Sequence, residues 1–162
     1  MPNHVGNPSI AIAMSALTIS EQIAAPRDKV FDKLIDYPSF ADTFSAIKKA
    51  EVLTEGEIGV GTRFRETRLM FGKEATEEMT IAEFDRPSRI VYTAASHGCS
   101  YRTAHELIEK DGGTELSLTF EGKGVSLMGK VMSGLMGWMM KGACRKAMTK
   151  DLAELKSALE DG

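Results

Sequence analysis

Two cysteines in 162 residues are too few for a disulfide framework, and Cys99 and Cys144 lie far apart without metal-site spacing. That scarcity points to a reduced, cytoplasmic setting. No apolar run approaches the length of a transmembrane helix, so no stable membrane insertion is expected. Neither sign of charge forms a long block, and a net charge of -3 gives no basic excess for a nucleic-acid partner. Gly-x-Ser-x-Gly, Walker and His-Glu-x-x-His motifs are missing, which leaves nucleophilic hydrolysis and phosphate binding without support. Gly56, Gly59 and Gly61 lie between two strand-like segments and open no helix, so they form no dinucleotide fingerprint. His97, Cys99 and His105 match no zinc spacing. No metal and no other cofactor is expected.

What is present suffices for one domain with a substantial core. The apolar stretch Ile10–Met14 is short for a signal segment and follows no Lys or Arg. Residues 1–14 are therefore expected to be a flexible N-terminal leader, with the folded domain over 15–162. Leu17, Ile19 and Ile23 alternate with polar residues, as a half-buried strand requires. Pro26 suits the first turn of a helix whose apolar face is Val30, Phe31 and Leu34. The Asp36–Phe40 stretch breaks that helix, and a second short one is expected over Phe40–Phe44. Strand patterns then follow at Lys48–Thr54, Thr62–Phe71, Glu74–Phe84, Arg89–Ser96, Cys99–Glu109 and Thr114–Glu121. Gly72-Lys73, His97-Gly98 and Asp111-Gly112 mark tight turns between them. Successive hairpins imply an antiparallel sheet. A curved sheet with one buried face needs a cover, and the helical stretch Gly122–Glu160 is the only element long enough.

The order and spacing of several short motifs resemble the START-like (helix-grip, SRPBCC) superfamily and its polyketide cyclase/dehydrase-like group. They are Ala25-Pro26 with Val30-Phe31, Asp36-Tyr37-Pro38-Ser39-Phe40, Gly59-Val60-Gly61-Thr62, Glu83–Ile90, Gly113-Thr114-Glu115-Leu116 and Leu152-Ala153-Glu154-Leu155-Lys156. Together they span residues 16 to 160. The resemblance implies an α+β helix-grip fold: a curved antiparallel sheet of about seven strands (β-αα-β6-α) around a long C-terminal helix. It also implies an apolar cavity between sheet and helix. A fold alone does not establish an activity.

Alternation nominates the residues that face such a cavity: Leu118 and Phe120; Tyr101, Thr103 and His105; Tyr92; Met79 and Glu77. The strand from Thr62 is ambiguous, because Phe64 and Leu69 fall on opposite faces. Either a bulge intervenes, or Glu66 and Arg68 point inward beside Phe64. In that second arrangement Glu66, Arg68 and Glu77 form a buried polar cluster, which must pair internally or with a ligand. In the first they are an ordinary solvated face. Tyr101 and His105 share one strand face and are the candidate catalytic acid–base pair. A near-neutral imidazole can move a proton and a phenol can steady an enolate oxygen. Otherwise both simply hydrogen-bond inside a mixed cavity.

The terminal helix carries two apolar stripes. With 100° per residue, Met128, Met132, Leu135 and Ala143 fall within roughly 40° of Met139. Met148, Leu152, Leu155 and Leu159 cluster on the opposite side. Either the helix kinks or breaks near Gly137 or Gly142, or it is straight and its Met face is free. A free face would serve a homodimer, a membrane surface or cargo transfer. Ordinary core packing with Met as filler is the third alternative. Three functions follow in order of preference. The first is binding or transport of a small hydrophobic molecule (lipid, polyketide or quinone-like), with Met132, Leu135 and Met139 among the cavity residues. The second is a polyketide cyclase/dehydrase-like enzyme using Tyr101 and His105. The third is a protein-interaction or stress-related module using the Met-rich face.

Overall fold

The computed structural model describes the backbone of residues 13–70, 72–96, 98–124 and 127–161, and the side chains of 16–70, 72–96, 98–123 and 141–161. The chain begins with β1 (Ala13–Ile23), α1 (Arg27–Leu34), a 3-10 turn (Tyr37–Ser39) and α2 (Phe40–Thr43). Six strands follow: β2 (Ile47–Val52), β3 (Arg63–Met70), β4 (Lys73–Asp85), β5 (Arg89–Ser96), β6 (Cys99–Lys110) and β7 (Gly113–Gly124). The chain closes with α3 (Leu127–Glu160). The leader expected over 1–14 lies outside the described residues except for Ala13 and Met14, which belong to β1. His97 and the side chains of Met128, Met132, Leu135 and Met139 also lie outside them.

All seven strands form one antiparallel sheet in the order β1-β7-β6-β5-β4-β3-β2. The β6–β7 hairpin turns on Asp111 (φ 52) and Gly112 (φ 75). Two successive positive φ values match the right-handed twist of the strands they join. Gly113 follows because the chain passes close to the end of β1 there. A Cβ on Gly113 would stand 2.3 Å from the Ile23 carbonyl oxygen. Thr114, fully buried, donates its hydroxyl to Ala25 O at 2.7 Å and secures the corner where β1 enters α1.

β3 pairs with β4 without a bulge, from Arg63 opposite Thr80 to Met70 opposite Lys73. Irregularities fall in β1 between Met14 and Leu17, in β2 near Lys48 and in β4 at Ala82. The β4 bulge explains why Ile81 and Phe84, three residues apart, both reach the core. Phe84 meets the Phe31 ring edge-on at 5.2 Å. An uninterrupted β3 leaves Leu69 outward and 40% exposed.

The sheet's concave face packs on α1, the 3-10 turn and the second half of α3. Ile23, Val30, Phe31, Tyr37, Ile90, Leu107, Leu116 and Leu155 are essentially inaccessible there. Among the described side chains of α3, Leu152 and Leu155 are the buried ones, and Met148 and Leu159 pack beside them. The helix end is tied down by polar contacts. Glu160 accepts from Ala24 N at 2.7 Å, Lys156 pairs with Glu21 at 3.1 Å, and Glu154 accepts from Ser45 Oγ at 2.7 Å. α3 runs through Gly137 and Gly142 as one helix, so no break separates its halves. A mid-helix glycine weakens a helix by only about 1 kcal/mol, which a helix anchored this firmly tolerates.

Candidate functional site

The concave face is apolar with a polar strip across it, and β3 supplies the centre of that strip. Because β3 keeps strict alternation, Phe64, Glu66 and Arg68 share its inner face. Arg68 Nε donates to Glu66 Oε1 at 2.7 Å, and its Nη2 donates to Asp151 Oδ2 on α3 at 3.1 Å. The three side chains are 12–24% exposed. Glu66 and Arg68 are therefore not a solvated outer face. Burial by itself would lower the Arg68 pKa, but Glu66 and Asp151 outweigh it and hold the guanidinium above its ordinary value. Asp151 moves the other way: burial raises its carboxyl despite Arg68. Two carboxylates thus face one cation.

Two tyrosines lie beside this triad. Tyr37 stacks on Phe64 with ring centroids 4.4 Å apart, and its hydroxyl lies 3.1 Å from that of Tyr92. Tyr92 also donates to Leu34 O at 3.4 Å. Burial pushes the Tyr37 phenol up to about 12 and Tyr92 well above its ordinary value, so both stay neutral. The Tyr92 ring meets His105 edge-on at 5.7 Å. His105 stands between Ile90 on β5 and Leu118 on β7, both buried. That apolar setting pushes the imidazole down to about 4. Its Nδ1 is buried and has no hydrogen-bond partner among the described residues.

Tyr101 belongs to a different place. It sits four residues before His105 on β6, which puts the two roughly 13 Å apart along the strand. Its ring stacks on Phe120 at 5.8 Å, and burial together with the neighbouring Cys99 pushes its phenol up to about 12. Glu77 is close by and accepts from Ser96 Oγ at 3.0 Å. The expected Tyr101–His105 pair is therefore not brought together; His105 meets Tyr92 instead. Glu77 stands apart from the Arg68 triad, although it is opposite Glu66 across the ladder. Met79 faces Phe64 across the same ladder, and Thr103 lies opposite both Tyr92 and Phe120.

Asp151 and Tyr37 are the members that sequence reasoning missed. Asp151 sits three residues after Met148 and four before Leu155, a charged residue on the inner stripe of α3. That position was a readable signal. Among the described residues no group of three or more metal-ligating side chains occurs. The open groove beside the end of α3, lined by Lys33, Asp42, Lys150 and Glu154, holds none of the site's groups.

Residues 14–160 match the family described as polyketide cyclase/dehydrase and lipid transport. The chain belongs to that family. Its fold recurs in the Zhui aromatase/cyclase from Streptomyces sp. R1128, at 21% identity over 90% of this chain and 93% of that one, with a TM-score of 0.74. A START superfamily protein from Mycobacterium smegmatis matches at 12% identity over 90% and 97% of the two chains, TM-score 0.73. A protein from Thermus thermophilus matches at 16% identity over 89% and 96%, TM-score 0.73. These likenesses are of fold. No curated protein sequence matches the chain.

Proposed function

We propose that this family member binds a small, largely hydrophobic molecule between the concave face of its sheet and α3. Its apolar body would lie against Phe64, Met79, Leu118 and Phe120. Its polar end would meet the strip formed by Arg68, Tyr92 and His105. The observation that carries this reading is the His105 Nδ1, buried on an apolar face without a partner among the described residues. A buried polar atom left unpaired costs about 1–3 kcal/mol, and a ligand oxygen would satisfy it. The neighbourhood of Arg68 favours a neutral oxygen group over a carboxylate, because two carboxylates already face that one cation. Displacement of an apolar fluorescent dye tests the reading. The intact protein should show one saturable site, and His105→Leu and Arg68→Met should each weaken it about tenfold, as one lost hydrogen bond to a buried group implies. Absence of a saturable site in the unaltered protein would overturn it.

A cyclase/dehydrase-like reaction is the second reading, favoured by a neutral imidazole against a phenol at the same spot. Its acid–base group would be His105 with Tyr92, not with Tyr101. On that reading His105→Gln removes turnover of a bound polyketide while dye affinity stays within about threefold.

A further inference from the structure

α3 meets the two halves of the sheet differently. It lies along β1 and β7, and Lys156 and Glu160 tie its end to Glu21 and Ala24. β3 stands four places from β7 in the same sheet. From there Arg68 reaches across the concave face and donates to Asp151 Oδ2 at 3.1 Å. Asp151 comes five residues before Lys156 and nine before Glu160. At 1.5 Å per residue, its bond is about 7 to 14 Å nearer the Met-rich half of the helix than those two ties.

The two bonds of Arg68 are not equivalent. Glu66 and Arg68 belong to one strand, so their 2.7 Å bond does not depend on where α3 lies. The bond to Asp151 joins two elements. Removing the only partner of a buried charge is strongly destabilising. Here the guanidinium keeps Glu66 when Asp151 lets go, so that penalty does not arise. Asp151 is 24% exposed and can turn to water. Burial raises its carboxyl despite Arg68, so its charged form gains by reaching solvent.

Leverage enlarges a small opening at this point. Leu155, 1% exposed, fixes α3 to the sheet about 6 Å from Asp151 along the axis. The first residue of the helix, Leu127, is about 42 Å from Leu155. A rigid tilt about Leu155 that parts Arg68 from Asp151 by about 1 Å therefore moves the start of α3 by about 7 Å. We propose that the Arg68–Asp151 bond is a latch, which opens to let the Met-rich half of α3 tilt off the sheet and admit a guest while Glu66 retains Arg68. The latch rests on the binding reading above and adds to it a route of entry.

Stopped-flow mixing with the neutral dye Nile red tests it. Asp151→Asn should raise both the association and the dissociation rate about threefold, and Asp151→Ala about fivefold, the worth of a partly exposed ion pair. Glu66→Gln should slow association instead, because Arg68 then belongs to Asp151 alone. Without dye, the α3 amides of residues 143–150 should exchange hydrogen faster in Asp151→Ala, while those of β1 keep their protection. Circular dichroism confirms that each variant is folded. Faster dissociation with unchanged association in both Asp151 variants would make Asp151 a simple contact and overturn the latch. So would association that Glu66→Gln speeds as much as Asp151→Asn does. Absence of any saturable Nile red site removes the binding reading; unchanged amide exchange in a folded Asp151→Ala removes the latch.

Discussion

The two ends of the concave sheet are furnished differently. At one end Ile23, Phe31, Tyr37, Leu107, Leu116 and Leu155 fill the space completely, and four polar contacts fasten the end of α3 around them. At the other end Tyr101, Cys99, Ser96 and Phe120 are only half-buried, and the helix above them is rich in Met and Gly. The polar strip of Arg68, Tyr92 and His105 lies between. Stability is concentrated where the leucines of α3 meet the sheet. On the proposed function, room for a guest would lie where unbranched thioethers, which repack easily, replace them in the sequence.

The largest test of this contrast is Leu155→Ala. A leucine 1% exposed should cost about 2–5 kcal/mol in urea unfolding. Met139→Leu, a near volume-conserving change in the other half of the helix, should cost less than about 1.5 kcal/mol. Equal losses would erase the distinction.

The next effect comes from acid. The His105 pKa is pushed down to about 4 in the folded protein, against about 6.5 in an unfolded chain. Above about pH 6.5 neither state binds the proton, and stability is unaffected. Between about 6.5 and 4 only the unfolded chain binds it, so stability falls with pH, by about 2–3 kcal/mol at pH 4.5. His105→Leu should remove that slope over pH 7 to 4.5. A slope unchanged by the substitution would mean that His105 is not held neutral by burial. The smallest effect is Gly142→Ala, where an added Cβ meets nothing within 4 Å. It should raise the melting temperature slightly, by about 1 kcal/mol of helix propensity. A loss instead would show that the glycine is needed for a bend or a close approach.

Most of the fold was legible because β-strands announce themselves twice, by alternation and by their turns. Asp111-Gly112 and the clean alternation of Leu116, Leu118 and Phe120 allowed no other reading. β3 was harder. Phe64 and Leu69 demand opposite faces, and only the ladder to β4 shows that Leu69 is the exposed one. Charged residues default to the surface, and that rule pointed away from Glu66 and Arg68. What rescued them from solvent was Asp151, eighty-three positions later, a partner no local pattern reveals. The Tyr101–His105 pairing failed for a different reason. Parity on one strand assigns a face but not a distance. His105 finds Tyr92 through the register of β5 against β6, which sequence alternation does not specify.

Native mass spectrometry of the protein purified from its own host tests the central claim most directly. The account predicts an adduct of a few hundred daltons, typical of a ligand that fills a pocket of this kind. The adduct should be released by organic extraction and rebind to the stripped protein in competition with an apolar dye. A bare protein mass, an extract without a rebinding compound and no saturable dye site would together contradict it.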